Sequence, residues 1–104
     1  MTPKEVLIAA KALIDTEDKW CQLAPEWDDR RCALRALDVA AVPTSKGTWR
    51  HAEELLHAAI PHRFVARAMQ CGHFEERDRI AEYNDCRTHR GVMRWFDRAI
   101  EAAS

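Results

Sequence analysis

The sequence predicts an all-α fold, a single-domain bundle of about five helices over residues 1–104, and three observations carry that expectation. Only 3 Gly and 4 Pro interrupt 104 residues that are rich in Ala, Leu, Glu, Arg and Lys, the types that lose least on entering a helix. No segment alternates apolar and polar residues with β-branched side chains, so strands have no support. With 47% apolar residues, a chain of this length can bury a core without metal or disulfide staples.

Each element has its own signals. Thr2-Pro3-Lys4-Glu5 reads as a capping box with proline in the first turn, opening a helix to about Ile14 whose apolar residues predict burial around most of its circumference. Asp15 to Asp29 reads as a loop, with Trp20 and Trp27 as lids over the core. The Asp28-Asp29 pair is placed to cap a central helix over 30–42. In that helix Arg31, Arg35 and Asp38 form a single polar stripe and the other residues, Cys32 and Val42 among them, are apolar. The first and last helices are expected beside it.

Pro43 ends that helix, and Thr48 is the expected cap of the next, which carries Trp49, Ala52, Leu55, Leu56 and Ala59 on one face and stops at Pro61. Residues 62–70 form a short helix with Phe64, Val65, Ala68 and Met69 inward, and Gly72 follows where a left-handed residue is accommodated. Phe74 and Ile80 anchor the charged stretch Glu75 to Arg79, in which Glu75 and Arg79 can pair. Tyr83-Asn84-Asp85 reads as a turn. A last helix from Thr88 points Val92, Phe96, Ala99, Ile100 and Ala103 inward and Arg90, Arg94 and Arg98 outward.

Charge excludes more than it suggests. The net charge is −1, and eight basic residues meet eight acidic ones in 1–52 and nine in 53–104, so no global field draws in nucleic acid. The most apolar stretch, Val6 to Ile14, is broken by Lys11 and is far shorter than the ~20 residues that cross a bilayer. It also lacks a signal-peptide cleavage site. A cytoplasmic protein is therefore expected, with Cys21, Cys32, Cys71 and Cys86 as free thiols, each packed as a small hydrophobe.

Four stretches together resemble a known family: Lys19-Trp20-Cys21-Gln22 after Leu13-Ile14, then Cys32 to Leu37, then Tyr83-Asn84-Asp85 with Thr88-His89, and Phe96-Asp97-Arg98-Ala99-Ile100. Their order and spacing are similar to those of small bacterial and phage-associated helical proteins of unknown function. The chain departs from that pattern at Arg35, where glycine is expected, at Arg90-Gly91, where acidic residues are expected, and in a short loop between Trp20 and Cys32. The resemblance implies a shared helical fold and a phage or mobile-element setting, and it supplies no catalytic residues.

Three kinds of site are open to these residues. Cys32, in the first turn of a helix, has the position of an activated thiol; with His89 as base and Asn84 or Asp85 orienting the imidazole it would make a cysteine-dependent hydrolase or transferase. Asp28 and Asp29 nearby disfavour thiolate, and the apolar surroundings predict a core cysteine instead. Cys71 and His73 with Cys86 and His89 have the donor types for tetrahedral zinc, but their order matches no common zinc module. No phosphate loop, serine elbow or paired metalloprotease histidines occur, and no cofactor is expected. The favoured reading is a non-enzymatic accessory or regulatory protein that binds a protein partner, with a homodimer as one possible form. Its candidate contacts are Trp27 and Trp49; the Arg90, Arg94, Arg98 row could grip phosphate or an acidic partner, although interleaved Asp97 and Glu101 make a solvated face the simpler reading.

Overall fold

A computed structural model describes residues 1–103. It contains six α-helices rather than five: α1 (Pro3–Leu13), α2 (Ala33–Ala41), α3 (Lys46–Ala58), α4 (His62–Gln70), α5 (Glu76–Asp85) and α6 (His89–Ala102). Between α1 and α2 lie a short 3-10 turn, Glu17–Lys19, and a hairpin of two-residue strands, β1 (Glu26–Trp27) and β2 (Arg30–Arg31). The fold is thus mostly helical but not all-α. The radius of gyration, 12.5 Å, matches a compact globule of about this length.

Local chemistry explains the ends that the sequence marks. Thr2 Oγ1 accepts from Glu5 N and Glu5 returns the bond to Thr2 N. Thr88 caps α6 through Gly91 N. Gly72, at φ +94°, follows α4 while His73 N reaches back to Ala68 O. Elsewhere the caps shift. Ser45, not Thr48, caps α3 by accepting from Thr48 N.

At α2 the cap is Cys32, whose Sγ accepts from Arg35 N at 3.4 Å, and the helix starts later than residue 30. Asp28 and Asp29 are instead the two-residue loop of the antiparallel hairpin, which pairs Glu26 with Arg31 and Trp27 with Arg30. Asp28 takes φ +53°, a conformation that aspartate tolerates and that tight hairpin loops require at their first residue.

Val6, Leu7, Ala10, Ile14, Leu37, Leu56, Ile80, Val92, Trp95, Phe96 and Ala99 form the centre of one core. α1 packs chiefly on α2 and also on α3 and α6; α2 otherwise meets mainly α3 and α5, and α6 lies against α1 and α3. The last helix is therefore not chiefly a neighbour of α2, whose nine residues are taken up by α1, α3 and α5. Within α1 burial is a stripe rather than a full circumference, and Ile8 is exposed.

Val42, beyond the last turn of α2, is exposed, as are Met69 and Phe74. Met69 lies near the end of a nine-residue helix that buries only Ala68. Phe74 is 72% exposed because its segment is held by polar bonds: Arg79 Nη1 donates to His73 O and Phe74 O, and Arg79 Nε to His57 Nε2 at 2.9 Å. Arg79 so employed does not pair with Glu75, and burial and the Arg79 charge push the His57 imidazole below its usual pKa.

Leu37 is fully buried, and Leu37→Ala is expected to cost about 2–5 kcal/mol. Arg94 is exposed on α6, and Arg94→Ala should stay within about ±0.5 kcal/mol. Equal effects in chemical denaturation would mean that the core face of α2 is misassigned.

Candidate functional site

The motifs that are distant in sequence meet at one residue. Asn84 is fully buried in the last turn of α5, not in a turn. Its Oδ1 accepts from Trp20 Nε1 at 2.7 Å and from Ala33 N at 3.1 Å, and its Nδ2 donates to Cys21 O at 3.1 Å. Gln22 Nε2 donates to the carbonyls of Asn84, Asp85 and Arg87, supplying acceptors at the end of α5 with the donor that a helix terminus lacks. Asp85 Oδ1 accepts from Leu23 N at 2.8 Å.

These bonds fasten residues 20–32 to the body of the protein as an arm. Two backbone bonds close its base, Cys21 N to Arg31 O and Cys32 N to Pro25 O, each 3.1 Å. On the arm, Leu23 is 85% and Trp27 62% exposed. Leu23 holds φ +66°, a conformation that costs a non-glycine residue roughly 1–2 kcal/mol and that the Asp85 bond helps to maintain. The Arg30 guanidinium stands 5.7 Å from the Trp27 ring centroid. Trp27 is thus no lid, whereas Trp20 is half-buried and does cover the core edge.

Other candidate residues are occupied elsewhere. Trp49 is half-buried: its Nε1 donates to Asp38 at 3.2 Å and Arg77 lies over its ring at 5.9 Å. Arg77 in turn binds Asp38 through two donors and pairs with Glu53, bonds that hold its guanidinium well above the usual pKa. Arg90, Arg94 and Arg98 are exposed along α6; Arg98 Nη2 reaches Ala59 O and the Tyr83 hydroxyl.

Cys32 is 5% exposed, and burial pushes its thiol above the ordinary value despite backbone donors at Arg35 and Leu34. With Asp85 it borders a mostly apolar pocket of about 290 Å³. His89 Nε2 donates to Ile14 O at 2.7 Å and its ring packs 5.6 Å from Trp20; Cys32 and His89 share no hydrogen bond among the described residues. Asn84 is spent on the arm. For zinc the geometry is no closer. His73 and Cys86 both approach Glu82, at 3.8 and 3.7 Å, His89 lies with Ile14 and Trp20, and no group of three or more His, Cys, Asp or Glu among the described residues could hold a metal ion.

All four cysteines are free, but only Cys21 and Cys32 are packed as small hydrophobes; Cys71 and Cys86, each just past the end of a helix, are exposed. Burial raises the Cys21, Cys32 and Cys86 thiols, with Glu82 adding to the effect at Cys86. A raised pKa means less thiolate at neutral pH. Native alkylation followed by mass spectrometry is therefore expected to mark Cys71 first and Cys86 more slowly, and to reach Cys21 and Cys32 only on unfolding. Rapid native labelling of Cys32 that slows in His89→Ala would return the thiol to catalysis.

Sequence reasoning did not find Leu23, whose positive φ and exposure no residue pattern announces. Fold and site together define a small helical domain with a short hairpin arm locked to it by a buried asparagine. The chain belongs to the family of unknown function DUF6197, which matches residues 1–102. No curated protein and no solved structure matches it.

Proposed function

We propose that this chain is a non-enzymatic accessory or regulatory protein that binds a protein partner through its arm, in a phage or mobile-element setting of the kind the resemblance implies. The observation that carries the reading is an exposed tryptophan, Trp27, displayed with Leu23 and Arg30 on backbone that is held in place by Asn84, Asp85 and Gln22. Tryptophan and arginine dominate binding hot spots, and an arm held in advance loses little conformational freedom on docking. Around it, Glu17, Asp18, Trp20, Leu23, Trp27 and Arg30 border a broad depression of about 550 Å³. Four free thiols suit a reducing cytoplasm, and no helix among the described residues is long and apolar enough to cross a membrane.

Affinity capture from source cells, with wild type and a Leu23→Ser/Trp27→Ala variant compared side by side, tests this. Both side chains are exposed, so the variant should fold. A partner recovered by wild type should bind the variant about 30-fold or more weakly, as loss of a hot spot implies. Equal binding of every captured protein by the two would remove the arm from the proposal.

A further inference from the structure

A different face of the molecule concentrates positive charge around a cup. Pro61, Arg63, Phe64, Arg67, Tyr83 and Arg87 line a pocket of about 290 Å³, close to the lower limit for small-ligand sites. No lining residue is acidic. Elsewhere in this chain arginines find carboxylates: Arg77 holds Asp38 and Glu53, and Arg31 and Arg35 approach Glu26. The guanidinium groups of Arg63, Arg67 and Arg87 have no ion pair among the described residues; Arg87 lies over the Tyr83 ring, 4.9 Å from its centroid.

A further donor borders the same cup. Tyr83 is 4% exposed; its hydroxyl accepts from Arg98 Nη2 at 3.4 Å, and its own hydrogen has no acceptor among the described residues. A nearly buried O–H donor left unused is a debt that a ligand acceptor would settle. Pro61, at the start of the nine-residue α4, gives no side-chain cap; its carbonyl takes the amides of Phe64 and Val65, and the helix dipole adds partial positive charge at that end. Three guanidinium groups with no carboxylate beside them specify an anion. Guanidinium forks match phosphate oxygens two at a time, and a cup of this size takes a single phosphoryl group rather than a length of polyanion.

We propose that this pocket binds a phosphate dianion, free or as the terminal group of a monoester, held by Arg63, Arg67 and Arg87 with the Tyr83 hydroxyl as a further donor. Arg87 O accepts from Gln22 Nε2 of the arm, but the pocket shares no lining residue with the depression around Trp27, so the proposal stands or falls independently of the partner-binding reading.

Calorimetric titration of the whole chain with a nucleoside monophosphate, with inorganic phosphate and with the unphosphorylated nucleoside tests the proposal. Saturable one-to-one binding of at least one phosphate species and none of the nucleoside is expected; tighter binding of the monophosphate assigns the ligand to an organic phosphate, and equal binding assigns it to free phosphate. Arg63→Gln and Arg67→Gln, both at exposed positions, should each weaken binding about tenfold or more. Arg94→Gln, outside the pocket, should change it by less than about twofold. Absence of saturable binding, or equal losses at Arg63 and Arg94, would overturn the site. So would an oligonucleotide without a terminal phosphate that binds more tightly than the monophosphate and ignores Arg63→Gln.

Discussion

Asn84→Leu is expected to destabilise the protein by at least about 3 kcal/mol and to release the arm. Leucine has a similar size, so the change removes hydrogen bonds rather than volume. It leaves Trp20 Nε1, Ala33 N and Cys21 O without the partners that Asn84 provides. Each buried group orphaned in this way costs about 1–3 kcal/mol, against a total stability of roughly 5–15 kcal/mol for a domain of this size. Urea denaturation reads the loss, and native thiol labelling reads the arm: Cys21 and Cys32 lie at its base, and both should become reactive below the unfolding transition. Gln22→Ala serves as the comparison, because it removes bonds to carbonyls at the exposed end of α5 and should cost only about 1 kcal/mol. A loss below about 1 kcal/mol in Asn84→Leu would mean that other groups hold the arm.

Trp95→Ala should cost as much or more. Trp95 is fully buried, meets Tyr83 edge-on at 4.8 Å and Phe96 at 5.8 Å between ring centroids, and donates through Nε1 to Leu56 O at 2.8 Å. Truncation removes an aromatic from the centre of the core, about 3–5 kcal/mol, and it deprives a buried carbonyl of its donor. Trp95→Phe separates the two contributions: most of the apolar area stays, the bond goes, and a loss of about 1–3 kcal/mol is expected. Thermal and urea unfolding should rank wild type, Trp95→Phe and Trp95→Ala in that order. Equal losses in the two variants would assign the whole effect to the hydrogen bond.

The legible parts of the fold were those with short-range causes. The Thr2/Glu5 box, the Thr88 cap, the Gly72 reversal and the Pro61 boundary each depend on residues within five positions of one another, which a sequence displays directly. The misread parts share the opposite property. Tyr83-Asn84-Asp85 has turn chemistry because Asn and Asp compete locally for backbone bonds; in the fold Asn84 is bonded to residues 51 and 64 positions away, and those bonds keep the segment helical. Asp28-Asp29 would serve equally as a helix cap or a hairpin loop. The backbone bonds of Cys21 and Cys32 across the arm decide for the loop and leave the cap to a cysteine. Trp95 was passed over although it completes the inward Val92, Phe96, Ala99 stripe at helical spacing; that its ring sits at the centre of the core with Tyr83 required the structure. The candidate arm was half visible: Trp27 was named from its residue type, but its exposure, and Leu23 beside it, required the structure.

By itself, then, the sequence determined that the chain is mostly helical, where four of its helices begin or end, which side of α6 carries the arginines, and that no long apolar span interrupts it. Propensity, capping and amphipathic period are properties of neighbours along the chain, and neighbours are what a sequence records. Only the tertiary structure decided that Asn84 is the fastening of an arm, that Trp49 is consumed by Asp38 and Arg77 while Trp27 is left in solvent, and that Arg63, Arg67 and Arg87 meet around one pocket. Each of those outcomes depends on which distant groups satisfy a buried donor, acceptor or charge, and that pairing exists only once the helices have packed.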